Sequence, residues 1–218
     1  MQAPVSFKIR HQQFWLSPQR AIFWEQKRAL IISDLHFGKT GHFRKAGIAV
    51  PQSIYQEDLQ RLVTQIQYFQ PDNLIIVGDF FHSAVNKEIE FFIRWRNSFP
   101  DLKFRLIKGN HDILERSWYQ ECEMELSEDQ IEIGGFCFIH DISECEENPV
   151  NYYFSGHIHP GVRLNGMARQ SLAFPCFYFR KDYAILPAFS RFTGLAMIEP
   201  ETDEQVFAIV QDRVVQLQ

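Results

Sequence analysis

The chain has 218 residues, 45% hydrophobic and 22% charged, with a formal net charge of −5. That length and balance suit one domain, residues 1–218, with a sizeable core. The acidic charge excludes nucleic-acid binding through an overall positive field, so an anionic ligand has to be held by local groups. The four cysteines, Cys122, Cys137, Cys145 and Cys176, form no C-x-x-C pair. They argue against a disulfide framework or zinc knuckle and for a reducing compartment. The N-terminal segment has no apolar h-region, and no apolar run is long enough to span a bilayer. A cytoplasmic protein with no membrane partner is the expectation.

Residues 5–16 and 20–25 alternate enough to predict an antiparallel start, with Ser17-Pro18 at the turn. ALIISDL (29–35) reads as a short buried strand ending in a carboxylate. Residues 53–70 carry Ile54, Leu59, Leu62, Val63, Ile66 and Phe69 at helical spacing, and Pro71 stops the run. NLIIVGD (73–79) is a second buried strand, again ending in a carboxylate. Residues 87–99 predict a helix with Phe91, Phe92 and Trp95 on its buried side, and KFRLIKGNHD (103–112) a third strand running into a polar turn. This βαβαβ order predicts a mostly parallel sheet covered by helices. Short strands then dominate, at 131–140, 150–156, 171–179, 182–186, 194–199 and 204–210. They predict a second, largely antiparallel sheet stacked on the first.

Each buried strand of the first half ends in residues that bind metals well. The first gives Asp34 and His36, the second Asp79 with His82 three residues later, and the third Asn110, His111 and Asp112. In open α/β sheets the ligand site forms beyond the carboxyl ends of the strands, so these tips face one crevice. The second half adds His140 and the turn Gly156-His157-Ile158-His159. Taken singly, most of these have a plain structural reading: Asp34 as a turn cap, Asp79 and Asn110 as turn residues, His140 as a satisfied strand end. Together they mix oxygen and imidazole donors, a set that suits Mn, Fe or Zn better than Ca or Mg.

The ordered motifs D-x-H, G-D-x-x-H, G-N-H-D, a lone His and G-H-x-H resemble the calcineurin-like metallophosphoesterase superfamily. The resemblance spans residues 34–159 and implies an α/β fold, a four-layer αββα sandwich of two mixed sheets. It implies two divalent metal ions, with manganese favoured over iron or zinc. Asp34, His36 and His159 would hold the first, Asn110, His140 and His157 the second, and Asp79 would bridge them. A metal-bridging hydroxide would attack the phosphoester. His111 would face the substrate as a catalytic group, with Asp112 or His82 orienting it. GDFFHSA departs from the protein-phosphatase pattern G-D-x-x-D-R-G and looks closer to the nuclease branch.

A narrower resemblance lies in SDLHFGKTGHFRKAGIAVP (33–51), which is similar to the bacterial ligase-associated DNA damage response endonuclease family. It implies a nucleic-acid phosphodiester substrate and a functional link to a DNA ligase and helicase repair system. Within this stretch Lys39, His42, Arg44 and Lys45 form a basic cluster, and Lys39, His42 and Arg44 are the candidate substrate contacts. Arg163 is another, whereas Arg169, Arg180, Lys181 and Arg191 are too dispersed in sequence to form a patch. A nucleotide or phosphomonoester phosphatase is the alternative enzyme, and a metal-free scaffold of the same fold the non-enzymatic one. No apolar stripe demands a homodimer, which stays an open partner.

Overall fold

The structure, a computed structural model, describes residues 2–39, 43, 47, 53–82, 87–145, 151–165 and 171–218. Its first sheet runs in sequence order through β1 (Val5–Ile9), β2 (Gln12–Ser17), β3 (Ala21–Trp24), β4 (Ala29–Ile32), β5 (Asn73–Val77), β6 (Lys103–Ile107) and β7 (Met124–Ser127). Pairing is antiparallel from β1 to β4 and parallel from β4 to β7. The helices are α1 (Ser53–Phe69), α2 (Lys87–Arg96) and α3 (Arg116–Glu121). The segment 5–16 is two strands, because Arg10 and His11 both take left-handed φ (47° and 64°) and close a two-residue hairpin. At the end of α1, Gln70 turns left-handed (φ 47°) and its amide donates to Ile66 O at 2.9 Å; Pro71 then prevents continuation.

Alternation along the central strands buries both faces of this sheet. Leu30, Ile32, Leu74, Ile76, Phe104 and Leu106 face Leu59, Leu62 and Ile66 of α1, Phe92 of α2 and Tyr119 of α3. Phe91, expected on the buried side of α2, is 54% exposed, because a helix presents only one stripe to the sheet and Phe92 occupies it. Ala29, Ile31, Ile75, Val77 and Ile107 face the second sheet.

That second sheet comprises β8 (Gln130–Ile133), β9 (Phe136–Ile139), β10 (Tyr152–Ser155), β11 (Pro160–Asn165), β12 (Ser171–Phe179), β13 (Tyr183–Ile185), β14 (Ala196–Met197), β15 (Gln205–Val210) and β16 (Arg213–Gln216). Its order is β14-β11-β12-β13-β10-β9-β8, with β15 also on β12 and β16 on β15. It is more mixed than expected: β9, β10 and β13 run parallel, as do β11 and β14. The segment 131–140 is the hairpin β8–β9, turned by Gly134-Gly135. Phe136, Phe138, Phe154, Phe177 and Phe207 fill the space between the sheets, with Phe138 and Phe154 stacked at 5.4 Å and 11°. Much of the high phenylalanine content is therefore inter-sheet packing. Among the described residues the helices all lie on the outer face of the first sheet. The outer face of the second carries Val162, Tyr178, Ile185 and Val206 beneath loops.

Candidate metal centre

The inter-sheet packing sets the carboxyl ends of β4, β5 and β6 beside those of β9 and β10. Asp34 and His36 follow β4, Asp79 follows β5, Asn110 and His111 follow β6, His140 follows β9, and His157 and His159 follow β10. Backbone hydrogen bonds lock the first two loops together: Asp34 N–H donates to Gly78 O (3.1 Å), His36 N–H to Asp79 O (2.9 Å) and Phe37 N–H to Phe80 O (2.7 Å).

The backbone at these residues is unusual. Asp34, His36, Asp79, His157 and His159 have φ of 55°, 51°, 50°, 63° and 54°. Each left-handed non-glycine residue costs about 1–2 kcal/mol and persists only where its surroundings impose it. In the G-H-x-H turn it is therefore the histidines, not the leading glycine, that take the strained conformation. Gly156 is required for a different reason: a Cβ there would lie 1.8 Å from Ser33 Oγ and 2.5 Å from Asp34 Oδ2. Gly78 meets the same limit, with a Cβ 2.0 Å from His140 Nδ1.

Two groups of side chains converge. Asp34, His36 and His159 form one, with His159 Nε2 3.2 Å from Asp34 Oδ1. Asp34 and Asp79 converge with His140, whose Nε2 is 3.5 Å from Asp79 Oδ1 and 3.2 Å from Asn110 Oδ1. His157 Nδ1 lies 3.3 Å from His140 Nε2. All seven residues assigned to metal by sequence thus meet in one place. The fit to cations rests on unsatisfied atoms: Asp34 Oδ1, both ring nitrogens of His36 and His159 Nε2 are buried with no hydrogen-bond partner. Buried polar atoms left this way are costly unless a ligand completes them.

Neighbouring groups fix the orientation of the donors. Val77 O sits 3.1 Å from His140 Nδ1, turning Nε2 to the centre. Asp141 Oδ2 lies 3.6 Å from His157 Nε2, turning Nδ1 inward. The Asp34 carboxylate accepts from Ser33 Oγ and from His157 N–H (3.1 Å). Burial pushes the His36 imidazole down to about 3, keeping it in the neutral form that binds metal. Burial would raise Asp79, but His140 and the His111 amide outweigh it and hold the carboxylate ionised.

His111 is 43% exposed, with Nε2 4.0 Å from Asp79 Oδ2 and its amide donating to Asp79 Oδ1 at 2.8 Å. The His82 ring packs against it, centroids 4.4 Å apart. Asp112 is placed differently from His82: fully buried, it accepts from the amides of Phe81 (2.8 Å), Gly109 (2.9 Å) and Phe80 (3.3 Å). Those bonds tie the loops after β5 and β6 together, and no hydrogen bond to the His111 ring is among them. Burial lowers the ammonium pKa of Lys39, which feels the opposing charges of Asp79 and Asp34. His42, Arg44 and Lys45 lie outside the described residues. The sequence assigned no role to Ser33, Asp141 or Ser155, whose Oγ donates to His140 O at 2.8 Å. Ser33 and Asp141 abut Asp34 and His140, and that adjacency was the available signal.

The family model described as calcineurin-like phosphoesterase matches residues 27–138, just over half of the chain. The chain belongs to that family. It is therefore a metal-dependent hydrolase of phosphoester bonds, and the family's divalent cations fit the donors above. A solved structure, the Pseudomonas putida nuclease MPE, is similar at 27% identity, covering 98% of this chain and 100% of that one with a TM-score of 0.83. The Escherichia coli phosphoesterase Yfce is similar at 14% identity over 87% of this chain and 97% of that one, TM-score 0.47. An Aquifex aeolicus protein of unknown function is similar at 21% over 60% of this chain and 78% of that one, TM-score 0.44. No curated protein matches the chain.

Proposed function

We propose that this phosphoesterase is a DNA-cleaving phosphodiesterase with a two-metal centre. Asp34, His36 and His159 would hold the first cation and Asn110, His140 and His157 the second, with Asp79 available to both. Manganese is the favoured ion. Such cations would supply neutralisation of phosphate charge and a lowered pKa for a bound water. The chain's own residues do the rest. Lys39 brings an ammonium beside Asp34 and Asp79, where it attracts the phosphate. His111, half-exposed above Asp79, donates a proton to the leaving oxygen, and the His82 ring fixes its orientation. Asp112 holds the loop that carries His111 by its three amide bonds. The catalytic group is thus His111, with His82 and Asp112 as positioning residues.

The observation carrying the metal reading is the set of buried, unpartnered atoms on Asp34, His36 and His159. The nuclease reading is supported by the end-to-end similarity to a nuclease, with the whole of that chain covered. The resemblance of residues 33–51 supports a role beside a DNA ligase and helicase in repair, in the cytoplasm. The test is hydrolysis of bis-p-nitrophenyl phosphate against p-nitrophenyl phosphate by chelated enzyme with Mn²⁺ restored, followed by oligonucleotides. Metal-dependent preference for the diester is expected. Preference for the monoester would replace this reading with a small-molecule phosphatase.

A further inference from the structure

The two ends of the ligand row carry opposite charge. At the Asp34 end, residues 188–191 pack directly behind the loop: Phe189 N–H donates to Ser33 O (2.7 Å) and Ser190 N–H to Asp34 O (3.1 Å). Two arginines far away in sequence hold this segment from beneath. Arg20 donates to Ala188 O (3.1 Å) and Ser190 O (2.6 Å), and Arg61 donates to Phe189 O, over whose ring it also sits. Arg191 follows at once, with its Cα about 4 Å from that of Ser190. It is exposed, and its charge acts on both Arg20 and Arg61. Against these three cations stand two carboxylates: Asp58, which pairs with Arg61 at 3.0 Å, and the exposed Glu57, whose charge also acts on Arg61. Among the described residues no carboxylate pairs with Arg191. The cluster therefore has one positive charge in excess, next to the loop that carries Asp34.

At the other end, Asn110, His140 and His157 open onto a cavity of ≈320 Å³ lined by Glu128, Asp129, Asp141 and Glu144. Its one cation, Lys108, is taken by Glu128 at 3.0 Å. A phosphate is repelled there and attracted at the Arg191 end.

We propose that a polynucleotide strand crosses this centre in one sense only. The phosphate neighbouring the scissile one lies on Arg191, in the field of Arg20 and Arg61. The Glu128–Glu144 end takes the part of the substrate without a flanking phosphate. This rests on the nucleic-acid reading above and adds a specificity residue to it.

The test is the salt dependence of kcat/KM for a single-stranded oligonucleotide cleaved by the Mn²⁺-loaded enzyme. One lost phosphate contact flattens the log–log slope by about 0.7 for a single strand. Arg191→Ala is expected to show that flattening, Arg191→Lys to retain most of the slope, and Glu144→Gln to leave it as in the wild type. Thermal melting confirms that each variant is folded, and Arg191 is exposed, so folding should survive. An unchanged slope in Arg191→Ala overturns the proposal, as does a slope in Glu144→Gln altered as much as in Arg191→Ala. Cleavage of bis-p-nitrophenyl phosphate with no cleavage of any oligonucleotide removes the nucleic-acid reading itself, and this inference with it.

Discussion

The two halves of the metal centre are built differently. In the set Asp34, His36 and His159 the first two are buried and His159 partly so, all three sit on left-handed backbone, and Asp34 Oδ1, both His36 ring nitrogens and His159 Nε2 make no hydrogen bond. In the set Asn110, His140 and His157, by contrast, His140 Nε2 is hydrogen-bonded with Asn110 Oδ1 (3.2 Å) and His157 Nδ1 (3.3 Å), and Asn110 and His157 are exposed. An apo form of the second set is thus partly satisfied internally, whereas the first is not. On the proposed assignment, one fold presents a closed cation site beside an adaptable one. The first should hold its ion through purification and the second should exchange.

The largest effect is expected from His36→Ala. It should remove the first ion and lower kcat/KM by at least about a thousandfold, while metal analysis still finds the second ion at raised Mn²⁺. Retention of both ions would mean that the first set is not what it looks like. His111→Ala should lower kcat by about a hundredfold to ten-thousandfold with both ions kept, measured with bis-p-nitrophenyl phosphate and by metal content. Loss of an ion would move His111 into the ligand set. Asp141→Asn releases His157 Nε2, so it should weaken only the second ion, by about 10–100-fold, read by Mn²⁺ titration. An equal effect on both ions would erase the asymmetry. The smallest effect is on stability. Saturating metal at about a hundred times its Kd adds roughly 2.7 kcal/mol, or about 5–10 °C of melting temperature for a domain of this size. Most of that shift should appear at the low Mn²⁺ concentrations that fill the first set.

Much of this centre could be read from the sequence because its chemistry is local to strand ends. Asp34, Asp79 and Asn110 each follow a run of buried aliphatics, so both their type and their place were visible. The helix α1 was legible from Leu59, Leu62 and Ile66 and from the Pro71 stop. What sequence reasoning missed depends on distant partners. Arg191 looked dispersed because Arg20 and Arg61, 171 and 130 residues away, join it only after folding. Asp112 carried a catalytic-motif signal, yet its side chain serves backbone amides. β7 (MELS) and β16 (RVVQ) have too few apolar residues to announce a strand, and pairing with β6 and β15 defines them. The parallel pairing of β9, β10 and β13 was hidden because periodicity carries no strand direction.

The hydrogen bonds that join the first two ligand loops have a consequence for hydrogen exchange. Past the last residues of β4 and β5, the amides of Asp34, His36 and Phe37 still donate to the neighbouring loop, and His82 N–H donates back to Phe37 O at 2.8 Å. Loop amides ordinarily exchange by small local openings. Here they should exchange as slowly as strand amides, opening only when the sheet does. The rigidity of the floor of the site is then that of the sheet itself, and the loops that carry Asp34, His36 and Asp79 unfold with the domain rather than before it.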